Sequence, residues 1–192
     1  MHDEMPQPRP EGNYGFQLWV NLPAKLKMSR PRYQDIRASD IPEVTSTDGA
    51  RVRVIAGEAG GVAGPVTGIA ADPVYLDVLV PPHGSFTHDV ARGHSAFSYV
   101  FEGAGSFGGD DLANGTSVWA TTLAIWGDGD YVNIFASESS VRFLLISGKP
   151  LNEPIARYGP FVMNTRAEIE QALRDLREGA FVWSEERGSR KR

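Results

Sequence analysis

His2, Asp3 and Glu4 open the chain in a spacing that suits metal binding. On an extended strand residues two apart share a face, so the His2 imidazole and the Glu4 carboxylate can reach one ion together. Two donors do not complete a coordination shell, and a working site needs one or two more. The remaining histidines, His83, His88 and His94, stand singly, with no His-x-His or His-x-Glu spacing among them. A second ligand two residues from His88 would have to be Phe86 or Val90, and neither carries a donor. These three histidines therefore read as surface or loop residues. The glycine-rich run 57–64 lacks the Gly-Lys-Ser/Thr ending of a phosphate-binding loop and is not followed by a helical pattern, so it reads as a connecting loop.

The elements that must position these groups are mostly strands. The chain has 192 residues, 41% of them apolar, enough for one domain with a sizeable core. Its 21 glycines and 13 prolines favour a turn-rich β protein. Period-two alternation marks strands at 16–22, 52–55, 74–80, 95–103, 116–120, 122–125, 131–135 and 141–146. Strands this short, separated by glycine or polar turns, predict a sandwich or barrel. The Gly103–Gly105 cluster reads as the turn that ends the fourth of them. One helix is expected near the C-terminus. Thr165 and Glu168 form a capping-box pattern, Ile169, Ala172, Leu173 and Leu176 repeat on one face, and Gly179 stops it.

Bulk properties exclude several functions. The formal net charge of -5 gives no overall attraction to nucleic acid or to an anionic membrane. The basic end, Arg187, Arg190, Lys191 and Arg192, reads as a solvated disordered tail. There is no cysteine, which removes disulfides, thiolate metal sites and cysteine nucleophiles. No apolar run approaches the ~18 residues of a membrane span. A cytoplasmic protein is expected, with the nucleus as a second compartment in a eukaryote.

Several stretches resemble one family. Gly15-Phe-Gln-Leu-Trp-Val-Asn-Leu-Pro23, then Tyr33-Gln34 with Ile41-Pro42, is similar to a strand and linker of the pirins. Val54-Ile-Ala-Gly-Glu58 and the run from Thr67 to Tyr75-Leu-Asp77 resemble the next part. Gly148-Lys-Pro-Leu-Asn-Glu-Pro154 with Gly159-Pro-Phe-Val-Met-Asn-Thr165 is the most specific. The resemblance implies a cupin-type double-stranded antiparallel β-barrel, or jelly roll, with one C-terminal helix. It divides the chain into 1–45, the end of an N-terminal cupin; 46–180, a C-terminal cupin; and 181–192, the basic tail.

Pirins are bicupins, and the resemblance implies a metal, Fe(II) or another divalent ion, in the N-terminal barrel. A His-x-His pair and a later His-x-Glu pair hold it there; His2-x-Glu4 matches the second, and nothing in this chain matches the first. His2 and Glu4 are thus the expected metal residues, with Glu4 the candidate catalytic one, and binding by this chain alone is expected to be weak or absent. His88, ahead of Glu102-Gly103, and Gly127-Asp-Gly-Asp130 have the look of cupin motifs stripped of their ligands. The expected function is a non-catalytic or truncated protein-interaction or regulatory module. A start placed at an internal methionine would produce this beginning. The alternative is a quercetin 2,3-dioxygenase-like oxidoreductase that takes a flavonol-like molecule once its site is complete. A protein partner, or a homodimer formed through the N-terminal strand, is the expected contact; direct nucleic-acid and membrane contacts are not.

Overall fold

The structure is a computed structural model that describes residues 10, 12 and 14–181. Two compact units divide them: one from residues 34–150, the other from 14–33 with 151–181. Among the described residues no helix is long and apolar enough to cross a membrane.

The 34–150 unit holds β1 (Glu43–Thr45), β2 (Arg51–Ala56), β3 (Glu58–Ala59), β4 (Val62–Ala63), β5 (Val74–Val80) and β6 (Ser85–Asp89). It continues with β7 (Ser95–Phe107), β8 (Thr116–Trp119), β9 (Thr122–Ile125), β10 (Tyr131–Phe135) and β11 (Val141–Gly148). Nine of these strands form one antiparallel sheet in the order β1-β2-β5-β11-β7-β10-β6, with β8 and β9 also paired to β7. The sheet curls into the expected cupin barrel. Alternate side chains point inward, as period two requires: Val52 and Val54, Leu76, Val78 and Val80, Val132 and Ile134, Phe143 and Leu145 are all buried. Phe143 lies at the centre of this core, edge-on to Phe86 at 6.0 Å and to Phe107 at 5.4 Å. The buried Ser98 hydroxyl is satisfied by Trp126, whose indole N–H donates to it at 2.9 Å.

The barrel closes through β7. Its first half pairs with β11 up to Gly103 and with β9 up to Val100; its second half, from Ala104, pairs with β8 and β10. The glycines at 103–105 are not a turn, as the sequence suggested, but the corner between these halves. Gly103 has φ +71°, and a Cβ there would collide with the Ser140 carbonyl oxygen. Only glycine allows both the left-handed backbone and the close approach.

Two other sequence expectations are corrected here. The 57–64 run is a β3–β4 hairpin turned by Gly60 and Gly61, both left-handed, as a two-residue turn requires. β6 was not foreseen, because its five residues carry a single apolar side chain, Phe86.

In the second unit, α1 (Arg166–Arg177) follows β12 (Ala156–Tyr158) and β13 (Phe161–Met163), which pair as a hairpin. Its capping box is present: Thr165 Oγ1 accepts from the Glu168 amide, and the Glu168 carboxylate accepts from the Thr165 amide. Ile169 and Ala172 pack with Met163, Phe161 and Leu173 in a small core. Leu176, expected in that core, is exposed. Residues 16–22 are not in a ladder. Phe16, Leu18 and Leu22 are exposed along with Trp19, so neither face of the segment is buried, and alternation alone supplies no pairing partner.

Replacing Gly103 by Ala is expected to cost about 2 to 4 kcal/mol, from the left-handed backbone and the forced displacement of the Ser139–Ser140 turn. Gly127→Ala, where a Cβ meets nothing within 4 Å, should stay within about 0.5 kcal/mol. Urea unfolding of the two variants side by side measures the difference.

Candidate functional site

The metal residues expected from sequence, His2 and Glu4, lie outside the described residues. The three other histidines are all described, and their placements differ. His83 occupies a turn with φ +60° and sits 3.7 Å from the Glu138 carboxylate, both side chains well exposed. That fits the surface reading. His88 does not: it is on β6, paired across to Val132, and half-buried. It shares the inward face with Phe86, and the two rings are stacked with centroids 6.1 Å apart and planes 7° from parallel. Burial pushes the His88 imidazole below its usual pKa, while the Asp89 charge pulls weakly the other way. The ring is accordingly neutral near pH 7. His94 ends the turn before β7, where its amide donates to the Ala91 carbonyl. It is partly buried, and its Nδ1 lies out of solvent with no hydrogen-bond partner.

These placements test whether the barrel can hold a metal. A cation at His88 needs a second donor on the same strand face, two residues away. That position is Phe86, 3% exposed and packed against Phe143. Val90, two residues on, is buried as well. Among the described residues no group of three or more His, Asp or Glu side chains lies close enough to bind an ion. The described barrel does not fit a metal centre.

Among the described residues, cavities open on the barrel. One, of about 310 Å³, is bordered by His94, Trp126 and the 127–130 turn. Another, of about 750 Å³, lies between the β3–β4 hairpin, the start of β5 and β6, and both His88 and His94 line it. Sequence reasoning missed this pairing, since the two rings come from a strand and a following turn.

The sequence profile of the Pirin C-terminal cupin domain matches residues 75–182, which is more than half of the chain. The chain belongs to the pirin family. It is 40% identical over 182 residues to a pirin-like protein of Caulobacter vibrioides, covering 94% of this chain and 63% of that one. Pirin-1 of Arabidopsis thaliana is 40% identical over 179 residues, covering 91% of this chain and 60% of its own. The crystal structure of quercetin 2,3-dioxygenase from Acinetobacter baumannii superposes with a TM-score of 0.75 at 38% identity, over 85% of this chain and 55% of that one. The chain thus spans about six-tenths of the length of these two curated pirins.

The depressed pKa of His88 has a consequence for stability. The unfolded pirin chain takes up a proton at this residue as pH falls through about 6.5, before the folded chain does. Stability is therefore full above that pH and is lost as the pH drops toward the lower folded value. Melting temperatures recorded between about pH 7.5 and 5 should fall more steeply for the wild type than for His88→Leu, which removes the titration and keeps the inward face apolar.

Proposed function

We propose that this chain acts as a non-catalytic pirin module whose cupin barrel is a body for protein contacts. The observation that carries this reading is Phe86. A strand position that could turn His88 into half of a metal site is filled by a ring in the packed core. Apolar surface supports the contact role. Trp119, Leu123 and Ile125, on the consecutive strands β8 and β9 that pair along β7, are 63%, 52% and 79% exposed, an unusual concentration of apolar side chains. Residues 16–22 add Leu18 and Val20, also exposed. A protein partner or a second copy of the chain would cover such surface. Cofactor-free action of this kind needs neither His2 nor Glu4.

A second reading is favoured by the likeness to the Acinetobacter baumannii quercetin 2,3-dioxygenase. There His2 and Glu4 would contribute to a centre holding Fe(II) or another divalent ion, completed by donors that the described residues do not supply. The metal would supply the redox chemistry on a flavonol; His2 and Glu4 would hold and orient it.

Metal content by mass spectrometry, combined with quercetin consumption and oxygen uptake, separates the two. The first reading expects far less than one iron per purified chain, no flavonol loss above the blank after Fe(II) is added, and an unchanged melting temperature in His2→Ala and Glu4→Ala. One iron per chain with turnover that both substitutions abolish establishes the second instead.

A further inference from the structure

β8 and β9 run one after the other along the same side of β7, and among the described residues no strand pairs with their outer edge. The Trp126 amide donates to the Ala96 carbonyl, so Ala124 and Thr122, two and four residues back, also turn their main chains to β7. Leu123 and Ile125 alternate with them and present their N–H and C=O groups outward. Their side chains stand opposite Tyr99 and Phe97 of β7, more than half exposed. Strand edges of this kind are commonly guarded by lysine, proline or a covering element. Here neither a charged residue nor a proline occurs from Leu112 to Gly127.

We infer that the edge of β9 pairs with the same edge of a second copy of the chain, joining the two sheets across a two-fold axis. An axis at Ala124 sets Leu123 of each copy opposite Ile125 of the other, and every outward N–H and C=O of β9 finds a partner. An axis at Leu123 would instead oppose Ile125 to Thr121, whose φ of +67° takes it out of the strand. An axis at Ile125 would oppose Leu123 to Gly127, beyond the strand's end. Charge favours the same contact. Each chain carries a formal -5, so two copies approach best where neither presents a charge, and the 112–127 stretch is such a place. Leu123, Ile125 and Trp119 offer about 400 Å² per copy at their exposures, half the roughly 800 Å² that each partner buries in a standard interface. The dimer is accordingly weak, with a Kd of about 10 to 100 µM. The second copy is the partner for the contact role proposed above, and the inference rests on that reading. Iron content and quercetin turnover judge the reading; association of the chain judges the inference.

Sedimentation equilibrium of the full chain from about 1 to 500 µM measures that association. A monomer–dimer equilibrium is expected for the wild type. Leu123→Lys/Ile125→Lys should weaken it at least about tenfold and leave the melting temperature in place, because both side chains are exposed. Leu18→Lys/Val20→Lys and Leu176→Lys, at other exposed apolar positions, should associate as the wild type does. Since the chain has no cysteine, crosslinking reads the register. Leu123→Cys mixed with Ile125→Cys should oxidise in air to a disulfide-linked dimer, the opposed Cα atoms being about 5.5 Å apart. Either variant alone should link at least about tenfold more slowly, its two cysteines being diagonal neighbours. The inference is overturned if the wild type stays monomeric throughout or the β9 lysine variant associates unchanged. It also fails if Leu18→Lys/Val20→Lys abolishes the dimer, or if either cysteine variant alone links as fast as the mixture.

Discussion

Three aromatic rings inside the barrel set the terms for the rest of the molecule. Phe86 and Phe107 meet Phe143 edge-on, and Phe107 also stacks on Trp126 at 5.9 Å. Together they fill the space between the two halves of the sheet with apolar volume. A barrel of this size can be a packed core or a lined chamber, and side chains decide which. Here they make it a core at its centre, while His88 and His94 border the larger cavity beside the β3–β4 hairpin.

That filling depends on how the backbone turns. β7 is thirteen residues long and belongs to both halves of the barrel. It can do so because Gly103 bends it where a side chain would strike the Ser140 carbonyl. On the outer face, Arg142 of β11 reaches across to Asp77 of β5 with two hydrogen bonds of 2.9 and 2.7 Å, and its charge also approaches Glu102 of β7 at 3.4 Å. The Asp77 contact raises the guanidinium pKa further, and the arginine links three neighbouring strands.

The same physics explains the division of labour within this pirin. An inward histidine beside a core phenylalanine is neutral, weakly hydrated and without the neighbouring donors that coordination requires. The three carboxylates that border the larger cavity, Glu58, Asp72 and Asp89, are instead exposed to solvent.

Much of this was legible in the amino-acid order. The strands from 74 to 80 and 122 to 125 have the bounds their alternation predicts, and α1 starts at its capping box, because period and cap are local properties. Family membership was equally legible, since separated motifs occur in one order. What sequence alone did not decide depends on which residues meet. β6 was hidden because its inward pair is a phenylalanine and a histidine, and only pairing with β10 shows that His88 faces inward. Gly103 looked like a turn because a glycine cluster reads the same whether the chain reverses or passes close to another strand. Residues 16–22 alternate like a strand, yet a strand exists only where a second backbone offers hydrogen bonds, and that is a property of the tertiary structure.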